Sequence, residues 1–188
     1  MIKKINIDND RSIVVLDDAF TFSEISGNYT NTISKNFKIY NSSESEIQNL
    51  SDKRLGSVLT EDDPVLNSIF SKERLEIIKE YIPQNLYTHW RSYINLGIVS
   101  DSHKIHVDDF SIGGGFTLLY YANRNWDPDW GGETLFYDDK REEIKFVSPF
   151  VPGRIIIFDS SIPHSAKPQH LNGPTYRFTV ACKFLRNR

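Results

Sequence analysis

Residues 177–184 read Arg-Phe-Thr-Val-Ala-Cys-Lys-Phe, and the alternation within them decides the fold. Side chains of a β-strand point alternately to its two faces. One face of this stretch is apolar and consists of Phe178, Val180, Cys182 and Phe184. The other face consists of Arg177, Thr179, Ala181 and Lys183. We therefore predict a strand over residues 176–185, whose apolar face packs under helices and whose second face lines the inside of a sandwich.

Short segments of the same kind fill the second half of the chain, separated by Gly, Pro, Asp and Asn. Further strands are predicted at residues 86–96, 104–108, 116–123, 133–137, 143–147 and 154–158. Several short strands with turn signals between them are typical of a sandwich or barrel. The prediction is a mainly β fold with N-terminal helices, in the form of a double-stranded β-helix, a cupin-like jelly roll.

The first half of the chain combines one predicted strand, residues 12–16, with two predicted helices. Thr21 and Glu24 have the spacing of a capping box, and apolar residues at helical spacing follow through Ile33. A second helix is predicted from Ser71 to Pro83, and residues 41–52 are predicted to be a loop. We expect one domain over residues 1–188, in which 1–85 form a helical support region and 86–186 form the catalytic jelly roll.

Composition excludes several classes of protein. The 188 residues carry a formal net charge of −3, which does not favour a nucleic-acid partner. Cys182 is the single cysteine, so the chain forms no intrachain disulfide and no thiolate zinc cluster. This cysteine use and the absence of a signal sequence favour the cytoplasm. No apolar run approaches the ~18 residues of a membrane span, so no membrane partner is expected.

The strongest candidate site combines His106 and Asp108 with His164. Residues i and i+2 of a strand share a face, so the first two side chains would point together. Two histidines and one carboxylate on one face of an octahedron form the triad of non-heme Fe(II) oxygenases, with zinc as the alternative metal. His103 and His170 offer other pairings, but only His106 has a carboxylate at i+2.

Arg177 is the candidate anion-binding residue. A guanidinium that faces the inside of a sandwich is costly unless it meets an anion. A bound carboxylate would match its planar fork, and Thr179 would add a hydrogen bond. A surface arginine or a structural ion pair is the alternative interpretation.

The His-x-Asp pair, the distal His164 and an Arg-x-Thr thirteen residues later (177 − 164) resemble the Fe(II)/2-oxoglutarate-dependent dioxygenases. Residues 117–134 and 152–158 are similar to the corresponding strands and loops of prolyl 4-hydroxylases and of the hypoxia-inducible-factor prolyl hydroxylases. Arginine at position 177 favours the oxygen-sensor and the bacterial or viral branch. The resemblance covers about residues 86–186.

The resemblance implies roles for seven residues. It makes His106, Asp108 and His164 the iron ligands. It also implies that four residues bind 2-oxoglutarate: Arg177 and Thr179 at the C5 carboxylate, Tyr121 at the same carboxylate, and Tyr93 elsewhere on the cosubstrate. A core aromatic is the alternative interpretation of Tyr121.

The implied reaction hydroxylates a prolyl or other peptidyl residue and converts 2-oxoglutarate and O2 to succinate and CO2. Fe(II) is the implied metal, and ascorbate is a further candidate cofactor. Asp108 argues against a halogenase, and Lys183 departs from the Arg-x5-Arg of nucleic-acid demethylases. The alternatives are an oxygenase of a free amino acid or small metabolite, and a catalytically silent module that binds a metal or carboxylate.

Overall fold

A computed structural model describes residues 1–8, 10–41, 53–99, 101, 103–108 and 114–187. The predicted loop at 41–52 lies outside this part of the chain except for Asn41. These residues form three α-helices: α1 (Phe22–Ile33), α2 (Pro64–Ile69) and α3 (Lys72–Tyr81). The strands are β1 (Ile2–Asn6), β2 (Ser12–Leu16), β3 (Lys38–Asn41), β4 (Lys53–Leu59), β5 (Tyr87–Ile98), β6 (Gly115–Tyr121), β7 (Thr134–Tyr137), β8 (Ile144–Ser148), β9 (Ile155–Asp159), β10 (His164–Ala166) and β11 (Tyr176–Arg186).

Two antiparallel sheets form the body of the protein. The main sheet has eight strands in the order β1-β2-β9-β6-β11-β5-β4-β3, and the minor sheet has the order β10-β7-β8. A bridge between His106 and His164 adds one further backbone pairing at the β10 edge. The predicted mainly β sandwich with N-terminal helices is confirmed.

The helices cover the outer face of the main sheet. The apolar residues of β11 pack there with the buried side chains of α2 and α3, as the alternation predicts. The predicted capping box of α1 is present, because Thr21 and Glu24 each accept a hydrogen bond from the other's backbone N–H. Ile25 and Tyr29 of that helix contact this core.

The inner face of the main sheet meets the minor sheet. A second apolar core lies between them and includes Tyr121 of β6, Phe136 of β7 and Phe158 of β9. The polar residues of β11 share this face, since Thr179 pairs with Tyr121 in register and Lys183 pairs with Thr117. Aromatic and polar side chains therefore share the space between the two sheets.

Two sequence predictions need correction. Residues 104–108 do not form a regular strand, because the backbone of His106 pairs with His164 while the N–H of Asp108 turns to the Ser160 carbonyl. The N-terminal region contains the predicted strand at residues 12–16, which is β2, but it also contributes β1, β3 and β4 to the main sheet. None of the described helices is long and apolar enough to cross a membrane.

Candidate active site

Three predicted ligands meet at the open end of the sandwich. His106 and Asp108 lie on the segment beside the minor sheet, and His164 begins β10. One donor atom from each residue lies within 4.8 Å of the others. The His164 Nε2 atom is 3.6 Å from the Asp108 Oδ2 atom. The paired backbones of His106 and His164, with N···O distances of 3.0 and 2.8 Å, fix this convergence.

Backbone carbonyls orient both imidazoles. The Nδ1 atom of His106 lies 3.0 Å from the Lys104 carbonyl, and that of His164 lies 3.0 Å from the Ile162 carbonyl. A carbonyl only accepts hydrogen bonds, so each Nδ1 carries a proton, and the neutral form of each ring keeps its Nε2 lone pair for a metal. Metal-binding histidines are commonly oriented in this way. The two nitrogens and one carboxylate therefore fit a divalent transition metal such as Fe(II).

Asp108 is held by two side chains of the main sheet. The Thr117 hydroxyl donates to Asp108 Oδ2 at 2.7 Å, and the Lys183 ammonium also binds that oxygen. Burial raises the pKa of Asp108, but Lys183, His164 and Thr117 together outweigh this effect and hold the pKa well below its usual range. The carboxylate is thus ionised, as a metal ligand requires.

Arg177 lies at the other end of the cavity and is 5% exposed. Its Nε donates to the Gly132 carbonyl at 2.9 Å, and one terminal nitrogen lies 3.4 Å from Thr134 Oγ1. Among the described residues, no carboxylate forms an ion pair with it. Burial lowers the pKa of the guanidinium, yet arginine remains charged in proteins. Within the described part of the chain, Arg177 is thus a buried cation with no anion at ion-pair distance.

The other predicted cosubstrate residues differ in their access to the cavity. Thr179 and Tyr93 both line it. Tyr121 is fully buried, stacks on Phe150 at 4.4 Å, and donates a hydrogen bond to Thr134 Oγ1 at 2.8 Å. Tyr121 therefore reaches the cavity through Thr134, which itself is a lining residue.

The same geometry distinguishes His103 and His170, the other candidate metal ligands, from the three clustered residues. His103 lines the cavity, but the cluster of donor atoms in the described residues contains only His106, Asp108 and His164. The Nδ1 atom of His170 lies 3.1 Å from the Asp129 carbonyl, away from that cluster.

Three residues were not assigned to the site from the sequence: Thr117, Thr134 and Lys183. Alternation along β11 places Lys183 on the inner face, so the sequence pattern could have predicted that this lysine is buried. Its contact with Asp108 was not, because it joins residues 75 positions apart.

Comparisons with known proteins give one family match and several similar structures. Residues 92–184 match the family model of the 2OG-Fe(II) oxygenase superfamily. A search of curated proteins gives no match. Among solved structures, an oxidoreductase of the 2OG-Fe(II) oxygenase family from Burkholderia pseudomallei has a TM-score of 0.70 at 14% identity, with 93% of this chain and 86% of that chain covered.

Two prolyl hydroxylases are also similar in structure. One, from Trichoplax adhaerens and in complex with a hypoxia inducible factor peptide fragment, has a TM-score of 0.64 at 17% identity, covering 92% of this chain and 83% of its own. The other, a Pseudomonas putida prolyl-4-hydroxylase, has a TM-score of 0.66 at 12% identity, covering 95% of both chains. These likenesses confirm the predicted double-stranded β-helix. The family match identifies residues 92–184 as a domain of the 2OG-Fe(II) oxygenase superfamily.

Proposed function

We propose that His106, Asp108 and His164 bind Fe(II), that Arg177 and Thr179 bind the C5 carboxylate of 2-oxoglutarate, and that the enzyme hydroxylates a prolyl residue of a peptide. One observation carries the proposal. An oriented His-His-Asp cluster and a buried arginine without a carboxylate partner among the described residues line the same cavity. A bound metal would fill the His-His-Asp cluster, and a bound dicarboxylate would pair with the arginine.

Each residue has a physical task in this reaction. Bound iron and 2-oxoglutarate supply the oxidising chemistry, in which 2-oxoglutarate and O2 give succinate, CO2 and a hydroxylated product. The carbonyls behind His106 and His164 keep the Nε2 lone pairs directed at the metal position. Thr117 keeps the Asp108 carboxylate oriented.

Arg177 binds the far end of the cosubstrate from a site that excludes water. Its guanidinium lies 5.0 Å from the centre of the Phe150 ring and 5.7 Å from that of Tyr121. Electrostatic attraction is stronger in such an apolar setting than in water. Thr134 lies within reach of Arg177 and adds a hydroxyl to the same subsite. This arrangement favours a carboxylate placed at a fixed distance from the metal.

The surface next to the cavity supports a peptide substrate. Tyr93 lines the cavity, and its register partner on β4 is Val58, so the two side chains share a face of the sheet. Val58 is 61% exposed. An apolar side chain beside the cavity suits the pyrrolidine ring or the flanking residues of a peptide. The structural likeness to two prolyl hydroxylases and the similarity at residues 117–134 support the same substrate class.

The test combines two measurements on the Fe(II)-loaded enzyme with 2-oxoglutarate, O2 and ascorbate. Succinate formation reports cosubstrate turnover, and mass spectrometry reports +16 Da products across proline-containing peptides and free amino acids. Oxidised proline peptides would support the proposal, with peptides in which alanine replaces proline as the matched control. Oxidation of free amino acids alone would instead assign a small-molecule hydroxylase. Protein that neither binds 2-oxoglutarate nor forms succinate would contradict the proposal, and succinate formation would exclude a catalytically silent module.

A further inference from the structure

Lys183 is a buried charge at the end of the cavity opposite Arg177. Its side chain is 3% exposed, although lysine is rarely buried unless it is paired. The ammonium binds Asp108 Oδ2, and it also donates to Thr117 Oγ1 at 3.0 Å. A third neighbour is the Tyr93 ring, with its centre 5.8 Å from the Lys183 nitrogen. All three neighbours line the cavity that also contains His106 and His164.

The register between β11 and β6 fixes the positions of Lys183 and Thr117 relative to each other. Lys183 of β11 lies directly opposite Thr117 of β6, so both side chains leave the same face at neighbouring positions. Both bind the same oxygen of Asp108, and Thr117 is 1% exposed. A carboxylate held by two neighbouring donors has little freedom to turn. The Lys183 ammonium is therefore held at a fixed position beside the Asp108 carboxylate.

We propose that Lys183 is a positioning residue that sets the charge of the metal site: with Thr117 it orients Asp108, and its ammonium favours bound Fe(II) over Fe(III). This inference rests on the proposed iron site. A fixed cation beside the ligand disfavours any further positive charge on the metal, and the effect is strong where water is excluded. Loss of one electron from Fe(II) to O2 would give Fe(III) and superoxide, with no bond broken and no proton moved. Lys183 opposes this unproductive oxidation while the enzyme lacks substrate.

The variants separate charge from hydrogen bonding. Lys183→Gln retains an N–H donor but loses the charge, whereas Lys183→Arg retains both. Lys183→Met, which removes the charge at similar length, is the second variant if Lys183→Gln does not fold. Lys35→Gln is the matched control, because Lys35 forms an ion pair with the buried Asp63 outside this cavity.

The experiment measures the Fe(III)/Fe(II) midpoint potential and the rate of iron oxidation in air, without substrate. The charge-removing variants should lower the midpoint by about 59 mV for each tenfold shift in the ratio of Fe(II) to Fe(III) affinity, and should oxidise faster. Lys183→Arg and Lys35→Gln should keep the wild-type midpoint. An unchanged or higher midpoint in folded, iron-loaded Lys183→Gln or Lys183→Met would overturn the inference. If the wild-type protein itself binds no Fe(II), the proposed function fails instead.

Discussion

The two faces of β11 are equally buried, but one carries apolar side chains and the other carries charged ones. On the outer face, Phe178 and Val180 are 3% and 0% exposed, and both pack among apolar side chains under the helices. On the inner face, Arg177 and Lys183 are 5% and 2% exposed, and both are charged. An apolar side chain is stabilised by burial itself, whereas a buried charge needs a partner. Burial alone therefore does not distinguish the stabilising face from the functional one.

The largest effect should follow removal of a candidate metal ligand from the inner face. Asp108→Ala should lower succinate formation by more than about 100-fold, because loss of a residue that merely orients a ligand already costs 10- to 100-fold. Asp63→Asn is a matched control, since Asp63 is also buried and paired with a lysine but lies next to α2. Near wild-type turnover in Asp108→Ala would place the metal elsewhere.

The outer face should respond in stability and not in binding. Phe178→Ala should lower the free energy of unfolding by about 3–5 kcal/mol, because the cavity it leaves would remove contacts with Tyr29 and Phe37. Urea unfolding measures the loss, and titration with 2-oxoglutarate should give an unchanged Kd for the folded protein. A weakened Kd with unchanged stability would contradict the separation of the two faces.

Arg177→Leu, on the inner face, should instead weaken the binding of 2-oxoglutarate. Removing one partner of a buried charge pair costs about 2–5 kcal/mol, so the Kd for 2-oxoglutarate should rise by about 30-fold or more. Calorimetric titration with 2-oxoglutarate in the presence of Mn(II) checks this. Arg74→Met is the control, because Arg74 pairs with Glu24 on the helical side. A similar Kd in Arg177→Leu and the wild-type protein would show that the guanidinium has a purely structural role.

The smallest effect concerns the route by which Tyr121 acts. Its hydroxyl bonds to Thr134, so Tyr121→Phe should cost about 1 kcal/mol and raise the 2-oxoglutarate Kd roughly fivefold. Thr134→Val removes the hydroxyl that faces Arg177, and its effect should be at least as large. A larger effect in Tyr121→Phe than in Thr134→Val would mean that the Tyr121 hydroxyl contacts the cosubstrate directly.

Local periodicity explains which features were predictable from the sequence. The two faces of β11 follow from alternation along one strand, as does the inward position of Arg177. The short α2 and the strands β3 and β4 carry weaker patterns, and they were not predicted. Contacts such as Lys183 with Asp108 and Tyr121 with Thr134 depend on how the main sheet packs against the minor sheet and residues 103–108, which no local pattern contains.

The central claim is that the inner face holds Fe(II) and 2-oxoglutarate together. Its most direct test is an anaerobic titration of the protein with Fe(II) and 2-oxoglutarate, followed by visible absorption. The account predicts a weak charge-transfer band in the wild-type protein, weakened or absent in Asp108→Ala and appearing only at much higher 2-oxoglutarate in Arg177→Leu. No band in the wild-type protein, or an equal band in all three proteins, would contradict the account.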